Sequence, residues 1–512
     1  MRKFLSIIGT AAFLAVPHVS AAEGPVSVVE AVKAGDLPAL RNSPGLIKNP
    51  NQAEPDGTTP LHWAVQENRL DIVQALVAAG ANANARNRYG VIPLELAAIN
   101  GNGAITQALI KAGADVKLPA SETASVLSTA ARTGNSEVIK VLLAAGADAN
   151  FAESGSGQTP LMWAAAEGHP EAVKALLAGG AKAGTKALAE ETALFYAVRK
   201  GDIASVRALL DAGADVNTRT APEMAGGRRG GGGGGNNQYA PGYRPKFSPN
   251  GDSMLVVAIM NTNFDIADLL LNKGADPNAA GPHWSPLHSV VRVRNYEEAQ
   301  FPAPKGTGTL DSLEFAKHLL AHGANPSARA ESHTTRRAGG DQNYDEWMGA
   351  TPFFLAAKAA DLPMIRLLLA NKADYKTPTY LHTTPLMVAA GVGCVTGQWI
   401  EPEADVLATV KILVDELKAD VNPVNDKNET AVHGAAIRGM DSVVQYLADK
   451  GAKLDVRNSD NQRPLDIVVD GIAKPVTIGG VPIEKIGYSD HTAALLKKLM
   501  AEKGESTQAR LQ

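Results

Sequence analysis

The sequence predicts an all-α solenoid of about twelve stacked helix-turn-helix units joined by short hairpin loops. Three observations carry this. A phrase of about 33 residues recurs: Gly57-Thr58-Thr59-Pro60-Leu61-His62-Trp63-Ala64 returns as Gly157-Gln158-Thr159-Pro160-Leu161-Met162-Trp163-Ala164. A glycine closes each copy at Gly80, Gly113, Gly146, Gly180 and Gly213, in steps of 33, 33, 34 and 33. Between entry and closure, apolar residues fall at helical spacing on two short stretches. A fixed period of this length marks stacked supersecondary units that share one apolar interior.

Each element of the unit has a local cause. Thr59 can cap a helix by accepting a free backbone N–H, and Pro60 fits the first helical position, where no N–H is needed. Leu61, Ala64 and Val65 then share one face. Gln66-Glu67-Asn68-Arg69 breaks this helix, and Val73, Leu76 and Val77 mark the second. Gly80 supplies the left-handed residue that ends it. The Asn-rich stretch Asn82-Ala83-Asn84-Ala85-Arg86-Asn87 is turn chemistry leading into the next unit.

With its Thr-Pro-Leu-His entry and Gly-Ala-Asp-x-Asn exit, the unit closely resembles the ankyrin repeat. The exit phrase recurs at Gly146-Ala147-Asp148-Ala149-Asn150, Gly213-Ala214-Asp215-Val216-Asn217 and Gly274-Ala275-Asp276-Pro277-Asn278. The resemblance covers nearly the whole chain after residue 22. Departures are local. Proline is dropped at Ser125-Val126, Thr192-Ala193, Ser253-Met254 and Thr430-Ala431 while the capping hydroxyl stays, and the closing glycine becomes Lys372 and Lys418. Val28 to Asp36 reads as an N-terminal cap and Asp466 to Gly504 as a C-terminal one.

The period also divides the chain. Residues 1–22 read as a signal peptide: Arg2 and Lys3, an apolar run from Phe4 to Val16 too short for a bilayer, and a small-residue cleavage site at Val19-Ser20-Ala21 or Ser20-Ala21-Ala22. Regular repeats fill 23–218, a Gly-rich insertion 219–250, repeats with loop insertions 251–505, and a disordered tail 506–512. The closing position jumps by 61, 49, 49 and 46 residues from Gly213 through Gly274, Gly323 and Lys372 to Lys418. Inserts 219–250 and 330–348 extend hairpin loops, and 295–311 and 392–405 lie between the two helices of a unit.

Composition narrows the function classes. The formal charge of −4 becomes −6 once Arg2 and Lys3 leave with the leader, which gives no global attraction to nucleic acid or anionic lipid. The single cysteine, Cys394, rules out an internal disulfide and reads as a small buried hydrophobe. His318 and His322 stand at metal-ligand spacing, with His283, His288 and His333 nearby, yet no carboxylate or cysteine completes a ligand set. No phosphate-loop lysine motif or nucleophile elbow occurs, so no metal, cofactor or catalytic residue is assigned. In ankyrin proteins the residue after Leu-His faces the groove; here it is Trp63, Leu96, Thr129, Trp163, Tyr196, Val257, Ser289, Leu355, Val388, Gly434 and Ile467.

The resemblance implies a non-enzymatic scaffold that binds a protein, the leader implies export to the periplasm or beyond the cell, and a monomer is expected. Groove contacts are expected at Trp63, Trp163 and Tyr196. Loop contacts are expected at Arg88, Tyr89, Tyr239, Tyr243, Arg244, Trp284, Trp347 and Trp399. Two alternatives stay open: small-molecule or glycan binding by the aromatic strip, and a secreted effector acting on a host protein. No nucleic acid and no membrane insertion is expected.

Overall fold

The structure is a computed structural model. It describes residues 27–42, 45, 47–118, 124–220, 251–281, 284–295, 308–331, 347–393, 401–471, 476–478, 481–483 and 489–508. The proposed leader, most of the Gly-rich insertion and Cys394 lie outside them.

Two compact units are present, residues 1–148 and 149–512. The first holds four helix pairs: α1 (Val28–Lys33) and α2 (Leu37–Asn42), α3 (Pro60–Gln66) and α4 (Leu70–Ala78), α5 (Pro93–Asn100) and α6 (Gly103–Lys111), α7 (Val126–Thr133) and α8 (Ser136–Ala144). The second opens with α9 (Pro160–Glu167) and α10 (Pro170–Ala178), α11 (Ala193–Lys200) and α12 (Ile203–Asp211), α13 (Met254–Met260) and α14 (Phe264–Asn272). It continues with α15 (Pro286–Arg294) and α16 (Ser312–Ala321), α17 (Pro352–Lys358) and α18 (Leu362–Ala370), α19 (Pro385–Ala390) and α20 (Glu403–Lys411). It ends with α21 (Ala431–Ile437) and α22 (Asp441–Asp449), α23 (Pro464–Asp470) and α24 (Asp490–Glu502). The described residues thus form twelve pairs, as the period predicts, and the fold is the all-α repeat stack. One departure is a short antiparallel pair between α23 and α24, Val476–Ile478 with Val481–Ile483. Its β-branched runs flank Gly479-Gly480, a two-residue hairpin signal inside the stretch read as a helical cap.

The capping hydroxyls do what their placement implies. Ser125 Oγ accepts the Ser128 N–H at 3.1 Å, Thr192 Oγ1 that of Phe195 at 3.3 Å and Ser253 Oγ that of Val256 at 3.3 Å, so these helices start without proline. Inside the pairs, Leu61, Ala64, Val65, Ile72, Val73 and Leu76 are fully buried, whereas Val77 is half-buried.

Successive pairs are tied by side chains the period places in register. The exit asparagine clamps the next unit twice. Asn84 Nδ2 donates to Gly113 O at 2.8 Å while its Oδ1 accepts the Asp115 N–H at 2.8 Å. Asn150 does the same to Gly180 and Lys182, Asn278 to Gly323 and Asn325, and Asn422 to Gly451 and Lys453. The entry histidine is the second tie. His62 Nδ1 accepts the Thr59 N–H at 3.2 Å, which leaves Nε2–H to donate to Val91 O at 3.1 Å. His288 reaches Ala350 O at 3.1 Å and His433 reaches Gln462 O at 3.3 Å in the same way. Hairpin tips add a backbone bond at several joints, such as Arg88 N–H to Asp56 O at 2.8 Å and Leu188 N–H to Ser156 O at 3.0 Å.

The closing residue is left-handed at the lysines as well as at the glycines. φ is +88° at Gly80 and Gly113, +60° at Lys372 and +57° at Lys418. Before Lys418 the helix ends in a π turn, Ile412–Glu416, so the Ala419 N–H reaches Leu413 O, six residues back rather than the five of Ala81 and Leu76. A side chain in the left-handed region costs about 1 kcal/mol. Lys418→Gly is therefore expected to raise the melting temperature by a few degrees in a thermal melt; an unchanged or lower value would contradict the strain.

Candidate interaction surface

The residue after Leu-His sits on the first helix of each pair, and its exposure varies along the chain. In the N-terminal unit Trp63, Leu96 and Thr129 are all half-buried, on α3, α5 and α7, which pack in succession. In the C-terminal unit Trp163 is half-buried and Tyr196 is 6% exposed. From Ser289 onward the position closes: Ser289, Leu355, Val388 and Ile467 are all buried.

Each aromatic of this row is anchored by a carboxylate from the preceding hairpin. Trp63 Nε1–H donates to Glu54 Oε2 at 2.7 Å, and Lys33 Nζ stands 4.1 Å over its ring while pairing with Glu54 at 2.7 Å. The bonds from Lys33 and Trp63 hold the Glu54 carboxyl below its ordinary range. Trp163 Nε1–H donates to Glu153 Oε1 at 2.9 Å. The Tyr196 hydroxyl donates to Glu191 and accepts from Gln158 Nε2 at 2.8 Å, with the Arg199 guanidinium 5.6 Å from its ring. Burial, reinforced by Glu191, pushes that phenol up to about 12. The rings are thus fixed in orientation, and Tyr196 lends little surface to a partner.

The loop residues separate into surface and core. Tyr89 is 68% exposed at a hairpin tip, its hydroxyl accepting from Arg88 Nη2 at 2.6 Å. Trp347 is half-buried, with Lys358 Nζ 4.5 Å from its ring. Trp284 corrects the sequence reading: at 1% exposed it is core, because a left-handed backbone (φ +67°) turns its ring edge-on to His288 at 5.6 Å. Tyr239, Tyr243, Arg244 and Trp399 lie outside the described residues. Sequence reasoning passed over Ile99, 50% exposed and one turn beyond Leu96 on α5; its spacing of three from a groove position was the available signal.

The histidines at metal spacing have other partners. His318 Nδ1 lies 2.8 Å from Asp268 Oδ1, and His322 Nδ1 lies 2.8 Å from the His318 carbonyl. His283 and His333 fall outside the described residues. Among the described residues, no helix is long and apolar enough to cross a membrane.

Helix pairs stacked in register, tied by repeated asparagines and histidines, define a tandem-repeat binding scaffold. Family models for ankyrin repeats match residues 24–120 and 127–220, and a further ankyrin-repeat model matches 250–279. The matched residues are ankyrin repeats, which serve in general as scaffolds for protein–protein interaction. A fowlpox virus protein named for its ankyrin repeats is 22% identical over 222 residues, covering 43% of this chain and 94% of that one. Mouse neurogenic locus notch homolog protein 1 is 33% identical over 156 residues, covering 30% of this chain and 5% of that protein. Among solved structures, the ankyrin repeat domain of Bcl-3, a member of the IκB family, is 28% identical, with 39% of this chain and 90% of that one covered at a TM-score of 0.36.

Proposed function

We propose that the chain is an exported scaffold that binds a protein partner chiefly through its regular N-terminal pairs. The observation that carries this is exposed apolar surface on a rigid base. Among the described residues of the N-terminal unit, Tyr89 and Ile99 are the large apolar side chains most exposed, and Leu96 and the anchored Trp63 lie on adjacent first helices. Aromatic and branched anchors on a fixed frame lose little entropy on binding and supply most of an interface's energy. Glycan stacking is less well supported, since Lys33 takes one face of Trp63 and Tyr196 is enclosed. Export rests on Arg2, Lys3, the apolar run and the small-residue cleavage site.

With the mature chain as bait in a periplasmic extract, Tyr89→Ala combined with Ile99→Ala is expected to reduce capture of specific partners about tenfold or more. Equal capture by the double variant would overturn the surface assignment. N-terminal sequencing of the protein from the cell envelope is expected to start after Ala21 or Ala22; a chain retaining Met1 in the cytoplasm would overturn export.

A further inference from the structure

The joint between the third and fourth helix pairs lacks both ties that hold its neighbour. Between the second and third pairs His62 bonds Val91 O and Asn84 clamps Gly113 and Asp115. One unit later Glu95 stands in the histidine's place and Lys117 in the asparagine's. Among the described residues, neither side chain bonds across to the following pair. The polar ties that the described residues show between these two pairs lie at the opposite edge, where the two helices of a pair meet. There Asn135 Nδ2 donates to Gly101 O at 2.6 Å and Thr133 Oγ1 to Ala98 O at 3.2 Å.

Glu95 makes this edge sensitive to charge. Its side chain is half-buried, but Oε2 is enclosed and has no hydrogen-bond partner among the described residues. An enclosed oxygen without a donor is costly when the carboxyl is ionised and far less so when it is protonated. The packed elements offer few counter-charges: His62 on α3, Lys111 on α6, Arg132 on α7 and Arg86 from the hairpin. Of these only Arg86 acts on Glu95, and burial outweighs it, so the carboxyl is pushed up to about 7.

We propose that this joint is a pH-operated hinge of the N-terminal unit, closed while Glu95 keeps its proton and loosened between α5 and α7 when Glu95 ionises. The sense is fixed by linkage. A carboxyl raised on folding adds stability that is complete below its ordinary value of 4.5 and is lost as the pH rises through about 7. A rise in pH across that range would loosen this joint, while the joint before it keeps the His62 bond to Val91 O and the Asn84 clamp on Gly113 and Asp115.

Amide exchange of the full chain, corrected for the intrinsic effect of pH, tests this. Protection in peptides covering α5 and α7 is expected to fall roughly tenfold or more between pH 5.5 and 8.5, relative to α3. Glu95→Gln, which stays neutral, is expected to hold one level across the range. Equal wild-type protection at both pH values, or the same fall in Glu95→Gln, would overturn the hinge. A carbon-13 titration of the wild-type Glu95 carboxyl provides a check that needs no variant. A midpoint near 7 supports the proposal, and one near 4.5 overturns it.

Discussion

Lowering the pH from 7 to 4 is expected to remove about 5 kcal/mol of stability from the C-terminal unit through two histidines alone. His288 is wholly enclosed, its Nδ1 2.7 Å from Ser285 Oγ and its Nε2 bonded to Ala350 O. His433 is equally buried, bonded to Thr430 and Gln462 O. Burial pushes each ring down to about 4, so both stay neutral in the folded chain where the unfolded chain takes up protons. A histidine lowered on folding contributes stability that is complete above its ordinary value near 6.5 and is lost as the pH falls toward 4. Each lowering of this size corresponds to about 3 kcal/mol. Urea unfolding followed by circular dichroism at pH 7 and pH 4.5 reads the effect. In the variant carrying His288→Gln and His433→Gln the loss should shrink by more than half. If that variant loses as much as the wild type, the histidines do not carry the acid sensitivity. The N-terminal unit contains the opposing group, since protonating Glu95 tightens the joint after α5.

Much of this fold was legible because its instructions are local and repeated. A capping hydroxyl, a proline, an apolar face and a left-handed residue each act within a few residues, and alignment of twelve copies exposes them even where one is replaced, as at Lys418 with its φ of +57°. The inter-repeat ties were only half legible. The asparagine and histidine recur visibly, but their targets, such as Gly113 O and Val91 O, belong to the next unit and become partners only on stacking. Burial of the aromatics was least legible. Trp63 and Tyr196 hold the same place in the repeat, yet one is half-buried and the other 6% exposed, because neighbouring side chains decide the exposure. The short strands between α23 and α24 escaped for another reason: they interrupt the period, and a repeat alignment offers no template for what it lacks.

Arg463→Met is expected to cost about 3 kcal/mol and to release the C-terminal pair. Arg463 precedes α23, and its guanidinium meets Asp466 in the first turn through Nε at 3.0 Å and Nη2 at 2.9 Å. Both side chains are almost fully enclosed, 5% and 2% exposed. The same guanidinium donates to Ser506 O at 2.8 Å and Gln508 O at 2.5 Å, so it fastens the chain beyond α24 onto α23. Methionine fills similar volume but takes the guanidinium from the enclosed Asp466 carboxylate, while the backbone N–H of residue 463 at 2.9 Å and the half-exposed Arg457 at 3.5 Å stay beside it. A buried carboxylate stripped of its main partner is strongly destabilising, whereas replacing both members by apolar groups is often close to neutral. The double variant Arg463→Met with Asp466→Leu should therefore recover most of the loss in urea unfolding. Exchange protection across α24 should collapse in the single variant and stay reduced in the double, because the carbonyls of Ser506 and Gln508 have lost their donor in both. A single variant as stable as the wild type would show that packing of α24 against α22 and α23, rather than the enclosed ion pair, closes this end of the stack.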